Sequence, residues 1–181
     1  MQKFVPVALV LALGCCFAEE GGETDQNPEY TMWSSFKVGS WSKYSLKMEA
    51  DGKSQEMTIT VKLLEVTPEK VVVETEMVSM EGGKEEKMNN KEEYLAKADP
   101  AKHPLDRKPD GEEGEETIKV GEEEYECEWF ETAKAEMGAK GKTWICEDVP
   151  GGLVKAETAM EGPGGKGKVM TMLLECEAVE E

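Results

Sequence analysis

Residues 44–63, YSLKMEADGKSQEMTITVKL, decide the fold of this chain. Apolar and polar residues alternate on both sides of Asp51-Gly52, and a period of two predicts strands with one buried face. Asp-Gly is a favoured two-residue hairpin turn, so the two strands are expected to pair antiparallel. Their buried faces are expected to carry Tyr44, Leu46, Met48, Met57, Ile59, Val61 and Leu63.

The same kind of pattern continues along the chain. Strands are predicted at residues 71–80, 117–120, 125–134, 142–148, 153–160 and 168–179, while residues 90–98 fit either a short acidic helix or the end of a strand. Val149 and Leu153 are expected to pair across a Pro-Gly-Gly turn. Asn27-Pro28 is typical of a helix start, and this short helix should pack Trp33 and Phe36 on the sheet. The predicted fold class is mainly β, a strongly curved antiparallel sheet (half-barrel or open barrel) with a short N-terminal helix.

The first eighteen residues are typical of an export signal. Lys3 precedes an apolar run over residues 4–13, and Cys16-Phe17-Ala18 fits cleavage before Glu19. Cys15 and Cys16 also resemble the lipidated cysteine of a lipobox, so lipid anchoring to the envelope is an alternative to simple cleavage. Both interpretations predict a periplasmic or extracellular protein. Residues 1–18 are the predicted signal peptide, 19–27 a flexible tether, and 28–181 one β-rich domain with an exposed loop near 99–115.

Charge limits the classes of partner. The chain has 39 acidic against 21 basic residues and a net charge of −18, which repels nucleic acids and anionic lipid surfaces. After the signal, no apolar run approaches the roughly 20 residues of a membrane-spanning helix. We therefore expect no nucleic acid partner and no transmembrane span in the mature chain.

Two cysteines are expected to face each other in one hairpin. A turn at residues 135–138 places Cys127 opposite Cys146, Trp129 opposite Trp144, and Glu131 opposite Lys142, whereas a turn at 138–141 loses all three pairs. Directly opposite residues lie about 4.5 to 5.5 Å apart at Cα, a separation that a disulfide tolerates. Cys127 and Cys146 are thus a candidate disulfide, with two buried thiols as the alternative.

Catalytic and metal chemistry are not indicated. The carboxylates of Glu126, Glu128, Glu147 and Asp148 flank these cysteines and disfavour a reactive thiolate. The single histidine, His103, lies in the predicted loop with no close-spaced cysteine pair near it. We expect no enzyme activity, no cofactor and no metal site; a small envelope hydrolase with an unrecognised site is the alternative.

Four segments resemble a pattern in uncharacterised exported proteins, many from planctomycete-like bacteria: residues 116–121, 125–127, 142–144 and 149–155. Gly39-Ser40-Trp41 matches weakly. The resemblance implies a distant relationship to half-barrel lipoprotein-carrier folds, in which a curved sheet wraps a helix or an apolar ligand. It defines no catalytic residue.

The predicted inner face of the sheet suggests a function. We expect it to include Met57, Ile59, Val61, Met170, Met172 and Leu174 as candidate ligand-lining residues. Thioethers fit irregular apolar shapes such as acyl chains, although an ordinary core has the same composition. The sequence therefore predicts an exported, non-enzymatic binding or structural protein of the bacterial envelope, with an apolar ligand or an envelope protein as partner.

Overall fold

The computed structural model of the chain describes residues 26–50, 52–81, 84–97, 111–134, 139–162 and 165–179. Within these ranges the chain forms α1 (Pro28–Ser34), β1 (Trp41–Ala50), β2 (Lys53–Val66), β3 (Lys70–Glu81), β4 (Lys84–Leu95), β5 (Glu113–Val120), β6 (Glu123–Lys134), β7 (Ala139–Ile145), β8 (Leu153–Gly162) and β9 (Gly165–Glu177). The strands form one antiparallel sheet, β4-β3-β2-β1-β9-β8-β7-β6-β5, which is not closed. The predicted fold class is confirmed.

The half of the sheet that contains β5 to β9 is curled. Strands β5 and β9 contact each other although β6, β7 and β8 lie between them in the sheet. A flat sheet would hold them about 19 Å apart, since neighbouring strands are spaced by roughly 4.8 Å. The sheet must therefore curl, and the curled half encloses part of the core.

In the described ranges, the core consists of two clusters of buried side chains. The larger cluster joins β1, β2 and β9 to the curled half, and its members include Tyr44, Leu46, Ile59, Ile118, Trp144 and Leu173. The smaller cluster lies under α1 and is formed by Trp33, Leu63, Val71 and Val73. In β1, the buried residues Ser42, Tyr44 and Leu46 alternate with more exposed ones, as expected for a strand with one buried face.

Helix α1 begins where the sequence predicts. The side chain of Asn27 accepts a hydrogen bond of 3.1 Å from the backbone N–H of Glu29, and Pro28 occupies the first helical position. Trp33 is buried and Phe36 packs beside it, so both predicted aromatics contact the sheet. Helix propensity alone cannot stabilise seven residues, and the buried indole supplies the main anchor.

The β7–β8 connection differs from the predicted tight hairpin. Cross-strand pairing resumes at Ile145 and Leu153 with an irregularity, so Val149 and Leu153 are not partners. Gly151 and Gly152 both have positive φ, 80° and 74°, and Gly151 N–H donates to the carbonyl of Met32. The longer loop is thereby held against α1, a tertiary contact that local turn chemistry does not encode.

One open alternative is decided, and two other predicted boundaries differ in the structure. Residues 90–95 continue β4, which settles them as strand rather than helix. Strand β5 begins at Glu113, inside the predicted loop and four residues before the predicted start. Gln26 and Asn27, the last residues of the predicted tether, are fixed by a bridge to Lys97 and a hydrogen bond of 3.0 Å to the carbonyl of Ala96.

Candidate functional site

Methionines from four neighbouring strands lie on one face of the sheet. The register pairs Leu46 with Met57, Ile59 with Met77, and Met77 with Met88, and paired residues share a face. Met48 follows Leu46 by two residues and therefore points the same way. We call this surface the methionine face and define it by Met48, Met57, Met77 and Met88, with the aliphatic residues Leu46, Ile59 and Val61.

Burial changes steadily across the methionine face. Leu46 and Ile59 belong to the buried core, whereas Met48, Met57 and Met77 are half-buried and pack against it. Met88, on the edge strand β4, is 58% exposed. The flexible thioethers thus form a partly open apolar surface that is continuous with the core.

The six candidate ligand-lining residues do not share one face. Met57, Ile59 and Val61 lie on the methionine face. Met170 and Met172 are paired with Lys47 and Ser45, which alternate with Leu46 and Tyr44, so they lie on the opposite face. The expectation of a single inner face is therefore wrong for these two methionines. Leu174 is 47% exposed and follows Leu173 next to a β-bulge. A ligand-lining role for any of the six stays a prediction.

The opposite face carries a row of indoles and lysines. The register aligns Gly114, Trp129, Trp144, Lys155 and Met172 across β5 to β9. Gly114 is required here, because a Cβ at this position would lie 2.9 Å from the Trp129 ring.

The two indoles are covered by side chains of the chain itself. The ammonium group of Lys142 lies 3.4 Å from the centre of the Trp129 ring, and that of Lys155 lies 4.4 Å from the Trp144 ring. The indole N–H of Trp144 donates to the carboxylate of Glu116 at 2.7 Å. Both indole rings and the indole N–H of Trp144 are thus already engaged by side chains of the same chain. We therefore assign this row of residues a stabilising role.

Three thiols converge at the curled end of the sheet. The predicted β6–β7 register is confirmed by the pairs Trp129–Trp144 and Glu131–Lys142, and Cys127 and Cys146 stand one position beyond the last pair. Both are buried, and the hydroxyl of Tyr125 lies 3.5 Å from the sulfur of Cys176. In this part of the structure all three cysteines are free thiols, so the Cys127–Cys146 disulfide stays a prediction without support from the structure.

Each thiol is held in its protonated form. Burial, reinforced by the neighbouring Cys146, raises the pKa of Cys127 to about 11. Burial also raises the pKa of Cys146 and that of Cys176. A nucleophilic cysteine needs the opposite shift, because the thiolate is the reactive species.

An open cavity of about 460 Å³ lies where the β1–β2 and β8–β9 hairpins meet. Its lining consists of Glu49, Ala50, Gly52, Lys53, Ser54, Lys166, Gly167 and Lys168. This cavity was not predicted, because its lysines come from β2 and β9, which are distant in sequence, and belong to no motif.

The methionine face was only partly predictable. Met77 lies an even number of residues after Val71 and Val73 on β3. This alternation could have predicted that Met77 shares their face. Met88 lies in KEEKMNNKEEYL, which has no apolar alternation, and only pairing with β3 reveals its face.

Other predicted chemistry can be located only in part. Among the described residues, no group of His, Cys, Asp and Glu could hold a metal ion, and no helical segment has the length and hydropathy of a membrane span. His103, Cys15 and Cys16 lie outside the described residues. The lipidation and cleavage predictions are therefore not tested by the structure.

Comparison with known proteins gives distant structural likeness. No family model and no curated protein matches the sequence. A protein described as exported with a YmcC-like fold, from Bacteroides fragilis, is 11% identical with a TM-score of 0.41, covering 78% of this chain and 97% of its own. A protein described as a lipoprotein, from Parabacteroides distasonis, is 14% identical with a TM-score of 0.44. The match covers 81% of this chain and 98% of that protein.

A third solved structure is a LolA superfamily protein from Nitrosomonas europaea. It is 8% identical, with a TM-score of 0.27, and the match covers 87% of this chain and 93% of that protein. All three TM-scores lie below 0.5, so the names of these proteins describe them and not this chain.

Proposed function

We propose that this chain is an exported binding protein of the bacterial cell envelope that holds an apolar ligand on its methionine face. The support is the graded burial of that face, from Ile59 at 2% exposed to Met88 at 58%. A face that only completed the core would be covered throughout, whereas here methionines from four strands meet solvent side by side. Export is supported by the signal-like start of the sequence.

We further propose that the protein acts by binding and not by catalysis. The three described thiols are shifted toward the protonated form, and the indole–lysine row is internally paired. Neither group supplies an activated nucleophile or a base aimed at a substrate. The defining residues of the methionine face offer only apolar contact, and polar side chains on the same face begin at the edge strand β4, where Glu86 and Asn90 flank Met88.

The test is binding of 11-(dansylamino)undecanoic acid by the mature chain, residues 19–181. Met57→Gln and Met77→Gln keep the side-chain length but place an amide on the methionine face. Each is expected to weaken binding about tenfold, equivalent to about 1.4 kcal/mol of lost apolar contact. Fluorescence titration of the dansyl group measures the dissociation constant.

Met80→Gln is the matched control. Met80 lies on the same strand as Met77 but on the opposite face, and it is 64% exposed. It should leave binding unchanged. Weakening by Met170→Gln or Met172→Gln, with no effect of Met57→Gln or Met77→Gln, would place the ligand on the opposite face. No binding by the unaltered chain would reject the apolar-ligand function and favour a structural role.

A further inference from the structure

Strand β4 is an open edge of the sheet. Its neighbour on one side is β3, and among the described residues no strand lies on its other side. Along such an edge, backbone N–H and C=O groups point outward without a strand to bond them. The side chains of residues 84–91 are all exposed, although they alternate between the two faces. This length of strand is therefore accessible to another chain.

Most of the features that protect edge strands are absent from β4. The strand has 12 residues and contains neither proline nor glycine. Its pairing with β3 runs from Lys70–Leu95 to Glu81–Lys84 without a bulge. Short length, proline and bulges are the usual obstacles to edge pairing, and only charge remains here. The arrangement of the charges therefore determines which chain β4 accepts.

The charges of β4 are complementary to those of a second copy of β4. A two-fold axis perpendicular to the sheet leaves each face on its own side, so directly opposed residues must lie an even number of positions apart. With Met88 on the axis, Glu85 is opposite the partner's Lys91. In the same register Lys84 is opposite the partner's Glu92, and the symmetry repeats both ion pairs. No like charges are opposed anywhere between these pairs.

Neighbouring registers are less favourable. With Asn89 on the axis, Lys87 is opposite the partner's Lys91, and with Lys87 on the axis two lysines are opposed directly. Like charges directly opposite each other are destabilising. With Asn90 on the axis no like charges meet, but Met88 lies opposite a carboxylate. Among these registers, the one centred on Met88 alone combines ion pairs with an apolar contact.

The charged side chains already have neighbours within the chain, which a partner would share. Lys91 lies 3.6 Å from Glu74, and Glu85 lies 3.5 Å from Lys87. Glu92 accepts two side-chain hydrogen bonds within β4. The side chains of Lys91 and Glu85 are 64% and 55% exposed, and ion pairs at such exposure contribute little. Rearrangement toward a partner therefore has a low cost.

We propose that a second copy of this chain pairs with β4, edge to edge and antiparallel, in a symmetric dimer centred on Met88. Backbone hydrogen bonds between the two edges supply affinity, and the ion pairs select the register. Met88 is 58% exposed in the single chain and is covered in the dimer by the partner's Met88. The two methionine faces join into one surface, because the axis leaves them on the same side of the sheet. This association goes beyond the proposed function and does not require a ligand.

Sedimentation velocity of the mature chain, residues 19–181, tests the association. In 150 mM NaCl the screening length is about 8 Å, which reduces the long-range repulsion between two acidic chains while opposed side chains still interact. We expect a dimer that dissociates on dilution from about 100 to about 1 µM, since an edge-to-edge interface is small. Glu85→Lys places two lysines opposite each other at both symmetry-related positions. It should weaken dimerisation about tenfold, although it lowers the net negative charge.

Exchange of the two charges should restore the dimer. Lys91→Glu alone opposes two carboxylates and should also weaken dimerisation about tenfold. An equimolar mixture of the Glu85→Lys and Lys91→Glu variants again places opposite charges together in a heterodimer. The double variant Glu85→Lys/Lys91→Glu does the same in a homodimer with the net charge of the unaltered chain. Both should recover the original affinity to within about threefold, a recovery that a general loss of stability cannot produce.

Lys119→Glu is the matched control, because it makes the same charge change on the other edge strand, β5. It opposes a carboxylate within the chain, Glu124, just as Lys91→Glu opposes Glu74. It should leave dimerisation unchanged. Urea unfolding checks that each variant is folded.

A second pair of variants, Lys84→Glu and Glu92→Lys, repeats the exchange on the methionine face. These variants keep the Lys91–Glu74 pair, so they test the same register if Lys91→Glu does not fold. A mature chain that stays monomeric at about 100 µM would overturn the proposal. Folded single variants that associate as tightly as the unaltered chain would also overturn it, as would mixtures of complementary variants that form no heterodimer.

Discussion

At the scale of single residues, the buried thiol of Cys127 predicts how stability depends on pH. Its pKa is raised from 9.0 to about 11 by burial, so between these values the folded chain retains a proton that the unfolded chain releases. The contribution of this thiol to the free energy of unfolding is therefore fully present below about pH 9. It is lost as the pH rises through 11. We expect the free energy of unfolding to fall more steeply over this window in the reduced mature chain than in Cys127→Ala.

Urea titrations at pH 8, 9, 10 and 11 measure this difference. All other titratable groups are the same in both proteins, so the difference between the two slopes isolates the thiol. Thiolate absorbance near 240 nm gives an independent midpoint. Two results together would contradict the prediction: a thiolate absorbance midpoint at about pH 9 in the folded chain, and the same dependence of unfolding free energy on pH in the unaltered chain and in Cys127→Ala.

Residue faces could be predicted from the sequence only where polarity alternates. In β2, Met57, Ile59 and Val61 alternate with threonines and lysine, and their common face was predicted correctly. In β9, the run VMTMLL places apolar residues on both faces, so Met170 and Met172 could be assigned to either side. The face of Met170 and Met172 is determined by their pairing with Lys47 and Ser45 on β1. This pairing joins strands that are distant in sequence, so the sequence of β9 alone does not contain it.

At the scale of elements, the contact between α1 and the β7–β8 loop depends on Gly151. A Cβ at this position would lie 2.5 Å from the buried ring of Trp33, and the φ of 80° is already unfavourable for other residues. We expect Gly151→Ala to destabilise the chain by about 2 to 4 kcal/mol, combining backbone strain with overpacking.

Gly121→Ala separates the two contributions. Gly121 also has a positive φ, 62°, but a Cβ there meets no atom within 4 Å. This variant should cost only about 1 kcal/mol in urea unfolding. If both substitutions had the same effect, the steric contact with Trp33 would be unimportant; a smaller cost of Gly151→Ala in a Trp33→Phe background would confirm it.

The two edge hairpins differ in their charge pairing. In β3–β4, Glu74 is paired with Lys91 at 3.6 Å, whereas in β5–β6 the exposed Glu115 and Glu128 stand directly opposite each other. Glu128→Lys should therefore raise the free energy of unfolding by about 0.2 to 1 kcal/mol. Glu74→Lys makes the same change in net charge but creates a like-charge pair, and it should be destabilising. Equal effects in urea would mean that net charge, not local pairing, is decisive.

Element boundaries could be predicted where local chemistry is strong. Asn27-Pro28 defines the start of α1, and three complementary pairs define the β6–β7 register. The start of β5 was missed because Glu113, Glu115 and Glu116 resemble a solvated loop, although their backbone pairs with β6. An edge strand with charged side chains avoids unwanted pairing with other chains, and the same property conceals it in the sequence.

At the scale of the whole molecule, strand order could not be derived from the sequence. The β1–β9 pairing joins residues more than 100 positions apart, such as Tyr44 and Leu173, and divides the sheet into two sequential meanders. Alternation indicates that a segment is a strand but not which distant strand lies beside it. The curl that brings β5 to β9 follows from this order and from the bulges, as does the position of the cavity.

Net charge gives a last prediction for the whole molecule. With 39 acidic and 21 basic residues, repulsion among carboxylates outweighs the attraction of exposed ion pairs, each of which contributes about 0 to 1 kcal/mol. Raising NaCl from 10 to 150 mM shortens the screening length from about 30 to about 8 Å, which removes long-range repulsion first. We expect the free energy of unfolding in urea, which is uncharged, to increase over this range. Glu115→Lys/Glu128→Lys should show a smaller increase, and a decrease in the unaltered chain would mean that its ion pairs dominate.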